Sequence, residues 1–257
     1  MRLPSALALC AALLLSGGAS ATELASTPLS RMDLPWWKTR FAAKQQELRH
    51  HRVDLIWLGD SITQDFERHG PPEAADFAPV WQRFYGDRNA VDLGFMGDTT
   101  AHLLWRIENG ETDGIAPRVA IVLIGANNFG RLRWPAGPTF DGINAIVDAL
   151  HRRLPRTRIL LLSVLPSIRS PWVDENTATV NRALQARYGD GKAGVTYVDV
   201  THVFLKNGAV DRDLFLDPLS NPKAPALHPT AQAQARLAAA IEPELAQLMG
   251  DRNHAAP

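Results

Sequence analysis

Five short apolar runs recur along the chain, and they restrict its fold more than any other feature. Each run is continuous rather than alternating, which is typical of strands that are covered on both faces. The runs are Val53–Leu58, Val91–Leu93, Val119–Ile124, Ile159–Val164 and Val195–Val200. Segments with apolar residues at helical spacing lie between or after them, at Thr100–Asn109, Ile143–Leu154, Asn176–Tyr188 and Ala231–Met249. This alternation predicts an α/β domain with a mainly parallel sheet.

The composition is that of one globular domain. Of the 257 residues, 46% are hydrophobic and 21% are charged, so the chain can bury a sizeable core. The formal net charge is zero, and no basic stripe is present. These features argue against nucleic acid as a partner.

The amino-terminal residues have the pattern of a secretory signal. Arg2 precedes an apolar stretch that ends in the small residues Ala19, Ser20 and Ala21, which predicts cleavage after Ala21. The apolar run is too short for an ordinary transmembrane span, although an uncleaved anchor is the alternative. The single cysteine, Cys10, lies in this segment, so the mature protein would hold no disulfide. We expect a signal peptide at 1–21, one domain at 22–250 and a flexible tail at 251–257, in a secreted or periplasmic protein without a stable membrane anchor.

Four residues stand where a parallel sheet places its chemistry, beyond the carboxyl ends of strands or at the start of the last helix. They are Ser61 in G-D-S, Gly97 in G-F-M-G-D, Asn127 in G-A-N-N and His228 in L-H-P-T. Each also has an ordinary interpretation, as a helix cap, a turn residue or an exposed loop histidine. A serine becomes a nucleophile only when a base removes its proton and the attacked oxygen is stabilised. A histidine, a glycine N–H and an asparagine amide can together meet both requirements.

These motifs together resemble the SGNH, or GDSL-type, hydrolase family. The matching blocks are G-D-S-I-T (59–63), G-F-M-G-D-T-T (94–100), G-A-N-N (125–128) and L-H-P-T (227–230). Within that family, the stretch 97–111 is especially similar to the catalytic subunits of intracellular platelet-activating-factor acetylhydrolases. The resemblance implies a three-layer α/β/α flavodoxin-like sandwich around a five-stranded parallel sheet. It also implies that the protein works without a metal or organic cofactor.

The resemblance also implies a role for each residue. Ser61 would be the nucleophile, and His228 would be the general base and then the acid for the leaving group. The N–H groups of Ser61 and Gly97 and the side-chain amide of Asn127 would form the oxyanion hole.

The third member of the expected triad departs from the family pattern. The family usually has aspartate three residues before the histidine, where this chain has Pro225. Asp217 is the nearest upstream candidate, and we expect an insertion at about Pro218–Ala226 to loop out while its ends stay close. In the alternative, Asp217 caps a turn, and a backbone carbonyl or water orients the imidazole.

These features predict a secreted serine esterase for short, acetyl-type esters of a glycan or lipid-derived substrate. Phe129, Leu165 and Trp172 are candidates for the substrate pocket, with ordinary core packing as the alternative. Two other functions stay open at this point: an acyltransferase that acts on a sugar hydroxyl, and a degenerate hydrolase scaffold that binds glycans. A homodimer is possible, as in the platelet-activating-factor enzymes.

Overall fold

A five-stranded parallel sheet forms the centre of the computed structural model, which describes residues 24–191 and 194–255. The strands lie in the order β2-β1-β3-β4-β5, and every neighbouring pair is parallel. Their bounds are β1 Leu55–Gly59, β2 Ala90–Gly94, β3 Val119–Leu123, β4 Arg158–Leu162 and β5 Val195–Val198. The predicted fold class is confirmed. The predicted signal peptide lies outside the described residues.

Helices flank the sheet. They are α1 Pro35–His50, α2 Ser61–Gln64, α3 Ala78–Tyr85, α4 Thr100–Arg106, α5 Ala126–Gly130, α6 Ala136–Arg153, α7 Pro171–Tyr188, α8 Leu216–Ser220 and α9 Ala231–Met249. A small hairpin, β6 Leu205–Lys206 with β7 Ala209–Val210, follows β5. Because parallel crossovers are right-handed, α3 lies on the opposite face of the sheet from α4, α6 and α7. Helix α9 packs beside α3 and completes the third layer.

The central strands are buried on both faces, as their continuous apolar runs predict. All five residues of β1 and all five of β3 are buried. Each fully buried valine, leucine or isoleucine contributes about 1.5–3 kcal/mol relative to an exposed position. The core therefore fixes the strand ends, and the loops that follow β1, β2 and β3 are brought to one edge.

Helix α1 is not among the predicted elements, because its apolar positions are few. Its buried face consists of Trp37, Phe41, Lys44 and Leu48, so one of the four positions is a charged residue. Lys44 is compatible with burial because its ammonium group contacts Glu47 at 2.7 Å and Glu67 at 2.5 Å. Because a charged residue occupies one of the buried positions, hydrophobicity alone does not show the helical periodicity.

Residues 251–255, which belong to the predicted flexible tail, contact the rest of the domain. Arg88 donates to both carboxylate oxygens of buried Glu242, at 2.7 and 2.8 Å, and to Asp251 at 2.8 Å. His254 contacts Glu242 at 3.0 Å through Nδ1. Residues 251–255 are therefore tied to α9 and to the loop before β2. Spacing could not predict this, since the partners lie far apart along the chain.

No helix within residues 24–191 and 194–255 combines the length and the apolar character that a membrane crossing requires.

Candidate active site

Ser61 is placed by the sharp end of β1. The strand ends at Gly59, and the carboxylate of Asp60 accepts a hydrogen bond from Ile62 N at 3.0 Å. This contact caps α2, whose first residue is Ser61. The serine hydroxyl therefore lies at the carboxyl edge of the sheet, at the amino end of a short helix.

Three side chains form a continuous chain of contacts at this edge. Ser61 Oγ lies 3.1 Å from His228 Nε2, and His228 Nδ1 lies 2.9 Å from Asp217 Oδ1. The second oxygen of Asp217 accepts from the backbone N–H groups of Leu227 at 3.0 Å and His228 at 2.7 Å. This is the order of groups, hydroxyl to imidazole to carboxylate, that moves a proton away from a serine.

The backbone explains how Asp217 reaches His228 across eleven positions. Phe215 and Pro229 form an antiparallel bridge. On either side of it, Leu216 N donates to His228 O at 2.7 Å and Thr230 N donates to Leu214 O at 2.8 Å. The bridge and these two hydrogen bonds close the base of the loop, and we call them its neck. The residues between Leu216 and His228 extend from this neck and return to it, as expected for an insertion. The structure adds α8, a short helix around Pro218 that the sequence does not predict.

Gly97 lies in the loop after β2, which we call the Gly97 loop (residues 94–99). Its φ of +74° is in the left-handed region, and a Cβ at this position would lie 2.1 Å from Arg131 Nη1. The positive φ favours glycine, whereas the close atom is the end of a flexible side chain that can move aside. Within the described part of the chain, the N–H groups of Ser61 and Gly97 donate to no protein acceptor, so both can bind a substrate oxygen.

Asn127 joins the Ser61 and Gly97 segments. Its Nδ2 donates to Asp60 Oδ2 at 3.1 Å and to Asp98 O at 3.0 Å. The amide is therefore held in place between the two loops, with both hydrogens directed at protein oxygens. A substrate oxygen would have to share one of these hydrogens.

Buried charges brace the Gly97 loop. The carboxylate of Asp98 accepts hydrogen bonds from Arg31, Trp37 and Arg106, each at 2.9 Å. Arg106 is fully buried and also pairs with Glu111 and donates to Gly59 O at 3.1 Å. One guanidinium thus connects the end of β1 to the Gly97 loop.

The sequence analysis singles out the stretch 97–111 but assigns no role to Arg106 or Glu111. The available signal is that one arginine, at 106, stands close to three acids, at 98, 108 and 111, in this short stretch. Charges in such a setting are expected to pair with one another when they are buried.

The electrostatics prepare His228 to act as a base. Burial by itself lowers the pKa of His228, but the hydrogen bond and charge of Asp217, together with Asp65 and Asp60, raise it above 6.5. Burial also acts on Asp217, yet the contacts with His228 and Leu227 hold the pKa of that carboxyl below 3.8. Burial raises the pKa of Asp60 to about 6. At neutral pH, Asp217 is therefore an ionised partner for the imidazole.

A cleft of about 630 Å³ opens beside Ser61 and His228. Its other walls come from the segment after α2, from the tip of the Gly97 loop and from α8 and the residues that follow it. These lining residues are Asp65, Arg68, Pro72, Ala75, Met96, Leu216, Asp217, Ser220, Asn221 and Ala224. The mixture of apolar and polar groups suits a small ester with polar substituents.

The three residues predicted to line the pocket do not line this cleft. Phe129 is fully buried and Leu165 is 4% exposed, both within the core. Trp172 packs edge-on against Phe129 at 6.4 Å and lies under the guanidinium of Arg133. Apolar residues just beyond strand ends here extend the core. The cleft is formed instead by loop residues that have no periodic signal.

The fold is the α/β/α sandwich of the SGNH hydrolases. The model of the GDSL-like lipase/acylhydrolase family matches residues 57–236, and the chain belongs to that family. The protein is thus an ester hydrolase, as the motifs predict.

Known proteins show the same likeness. Subunit alpha2 of platelet-activating factor acetylhydrolase IB from Rattus norvegicus is 29% identical over 182 residues, which are 70% of this chain and 74% of that protein. A carbohydrate esterase family 3 structure from Talaromyces cellulolyticus has a TM-score of 0.57 at 17% identity, covering 78% of this chain and 99% of that one. A carbohydrate acetylesterase family member from Sinorhizobium meliloti has a TM-score of 0.57 at 15% identity, covering 77% and 99%.

Proposed function

We propose that the protein is a serine esterase in which Ser61 is the nucleophile, His228 the general base and Asp217 the residue that orients the imidazole. The observation that carries this proposal is the unbroken series of contacts from Ser61 Oγ to His228 to Asp217, at 3.1 and 2.9 Å. The neutral imidazole accepts the hydroxyl proton as the serine oxygen attacks the ester carbonyl. Asp217 keeps the proton on Nδ1 and stabilises the imidazolium that forms.

The tetrahedral intermediate carries its negative charge on the former carbonyl oxygen. The N–H groups of Ser61 and Gly97 and the Nδ2 of Asn127 would donate to it. His228 then gives its proton to the leaving alcohol, and water attacks the acyl-enzyme with the same imidazole as base. Donors of this kind contribute about 3–4 kcal/mol each to transition-state stabilisation in comparable sites.

The proposed substrate is a short-chain, acetyl-type ester of a glycan or a lipid-derived molecule outside the cytoplasm. The names of the relatives support this class, since they include an acetylhydrolase and carbohydrate esterases. The amino-terminal sequence supports export. Mass spectrometry of the mature protein from the culture medium or periplasm should then give an amino terminus at Thr22.

The test is ester hydrolysis together with active-site labelling. We expect p-nitrophenyl acetate to be cleaved with a higher kcat/KM than the butyrate and octanoate esters, and acetylated xylan or peptidoglycan to release acetate. A fluorophosphonate should label the wild type at one site, and Ser61→Ala should lose both labelling and turnover. Ser170→Ala, which removes a serine at the start of α7, is the matched control that should keep labelling. Retained labelling in Ser61→Ala would reject Ser61 as the nucleophile.

Product analysis with a glycan acceptor present separates hydrolysis from acyl transfer. The proposal expects free acetate as the main product. Transfer of most of the acetyl groups to the acceptor would replace the esterase with the acyltransferase.

A further inference from the structure

Two guanidinium groups flank the helix that carries Asn127. Arg131 directly follows α5, and its Nη1 lies against Gly97, where a Cβ would be only 2.1 Å away. Arg169 comes from the loop after β4 and lies against Gly130, where a Cβ would be 1.7 Å from its Nη1. Its Nη2 donates to Ala126 O at 3.0 Å. Both cations therefore lie beside the groups proposed to bind the substrate carbonyl oxygen.

In the part of the chain that the structure describes, neither cation has a close counter-ion. Within residues 24–191 and 194–255, no carboxylate oxygen lies within 4.0 Å of Arg131 or Arg169. By contrast, Arg31 and Arg106, which lie on the same side of the site, pair with Asp98 and Glu111. The charges of Asp60, Asp174 and Asp217 reach Arg169 only from a greater distance.

The surroundings of Arg169 make its lack of a counter-ion costly, whereas Arg131 is exposed. Arg169 is partly buried, and burial lowers the pKa of its guanidinium. Burial and the charges of Arg31, Arg106 and Arg131 lower the pKa of nearby His102 to about 3. That histidine is therefore neutral at pH 7 and adds no positive charge beside Arg131. Arg169 donates to two neutral oxygens, Ala126 O at 3.0 Å and Ser167 Oγ at 3.1 Å. A partly buried cation that has such partners but no counter-ion is stabilised when an anion binds.

We propose that Arg131 and Arg169 bind an anionic group of the ester substrate, a carboxylate or a phosphate, beside the carbonyl that Ser61 attacks. The planar guanidinium fork matches both groups and can bind them through two parallel hydrogen bonds. This inference rests on the proposed esterase function and narrows its substrate class to acidic esters. Acidic glycans would supply a carboxylate, and lipid-derived esters would supply a phosphate.

Three acetyl esters of one size test the inference. They are 4-acetoxybenzoate, 4-acetoxyphenyl phosphate and the neutral methyl 4-acetoxybenzoate, with kcat/KM measured for each. For wild type we expect at least one of the anionic esters to exceed the neutral ester by about tenfold, the scale of one charge-assisted contact. The ratio should fall at 0.5 M salt, because salt screens the attraction. The preferred anion identifies the source, carboxylate or phosphate.

The ratio of anionic to neutral kcat/KM is also the readout for the variants. In Arg131→Gln/Arg169→Gln it should fall by about tenfold, whatever happens to the absolute rates. Arg131→Lys/Arg169→Lys should keep part of the preference, since the charge remains. Arg156→Gln, an exposed arginine before the amino end of β4, is the control and should keep the full ratio.

Two failures can be told apart. Neutral-ester hydrolysis that depends on Ser61 but shows no anionic preference would overturn the arginine inference alone. An equal loss on charged and neutral esters in the double variant would do the same, because the arginines would then only support α5. Absence of Ser61-dependent hydrolysis of all three esters would overturn both this inference and the proposed function.

Discussion

Two loops carry the candidate site, and they are held in different ways. In the Gly97 loop, the carboxylate of Asp98 is fully buried and receives three side-chain donors, two of them from Arg31 and Trp37 near the amino terminus. The Asp217 loop (residues 214–230) is partly exposed, and backbone hydrogen bonds close its neck. Its interior is held by Arg212, which donates to Pro222 O at 2.7 Å and Ala224 O at 2.9 Å.

The difference shows which half of the site depends on the whole fold. The Gly97 loop needs Arg31 and Trp37, which lie more than 60 positions away, and both side chains are buried. Removal of one partner of a buried ion pair leaves the other unpaired, which typically costs 3–5 kcal/mol. The Asp217 loop needs only its own backbone neck and Arg212. A substitution there should alter chemistry more than stability.

The largest expected effect is in the Asp217 loop and concerns turnover. Asp217→Asn keeps the size of the side chain but removes the charge that orients and stabilises the His228 imidazolium. We expect kcat to fall on the order of 10⁴-fold, with little change in the free energy of unfolding. Asp213→Asn, an exposed acid in the helical turn just before this loop, is the control. A loss under tenfold in Asp217→Asn would mean that another group orients the imidazole.

The same variant makes a prediction for pH dependence. The base form of His228 is neutral, so activity falls as pH drops through its pKa, which Asp217 holds above 6.5. Without the Asp217 charge, burial is no longer outweighed, and the pKa should decrease. The acidic limb of the kcat/KM profile should therefore move to lower pH in Asp217→Asn. An unchanged limb would show that it reports another group.

The largest expected effect in the Gly97 loop concerns stability. Arg106→Met leaves Asp98 and Glu111 buried without their common partner, and we expect a loss of about 3–5 kcal/mol in the free energy of unfolding by urea. Arg88→Met is a matched variant, because Arg88 is equally buried and pairs with Glu242 far from the site. Both should lose stability, but only Arg106→Met should lower kcat per folded molecule. Equal kcat in the two variants would show that Arg106 stabilises the fold but does not position the site.

A substitution with a smaller expected effect distinguishes the hydrogen bond of Trp37 to Asp98 from the packing of its ring. Trp37→Phe keeps an aromatic ring against Phe41 and Phe95 but removes the N–H that donates to Asp98. A hydrogen bond to a charged group contributes about 1.5–3 kcal/mol, and we expect a stability loss in that range with a severalfold lower kcat. Trp36→Phe, at the exposed neighbouring position, serves as the control. An unchanged kcat, with any change confined to KM, would argue that the Trp37 N–H does not help to position the site.

The fold was predictable because its signal is local and repeated. Each buried strand shows its own apolar run, and the runs alone indicate the parallel sheet. The sequence also pointed to four candidate site residues, because each stands at a strand end or a helix start: Ser61, Gly97, Asn127 and His228. The neck that returns Asp217 to His228 was expected only in outline, because backbone pairing across an insertion leaves no periodic mark.

Side chains that act across long separations were not predictable in this way. Arg31 and Trp37 meet Asp98 only after α1 packs against the sheet, and the partly charged buried face of α1 concealed that helix. The residues predicted to line the pocket lie elsewhere for a related reason. Phe129 and Leu165 are apolar and follow strands, and core positions have these properties as well as pocket walls. Cleft residues such as Met96 and Asn221 belong to loops, and their position depends on the neck and on Asp98.

The smallest expected effect tests whether the Asp217 loop is held locally. Arg212→Gln removes the two hydrogen bonds that Nη2 donates to the carbonyls of Pro222 and Ala224, while the neck from Leu214 to Thr230 remains. Because the site is partly exposed, water replaces part of these bonds, and we expect a loss of at most about 1 kcal/mol in the free energy of unfolding. The kcat should fall by no more than a fewfold, since Asp217 itself is held by Leu227 N and His228 N. Lys223→Gln, an exposed cation in the same loop, is the control. A loss near that of Arg106→Met would mean that both halves of the site depend on arginine side chains, and the contrast between the two loops would fail.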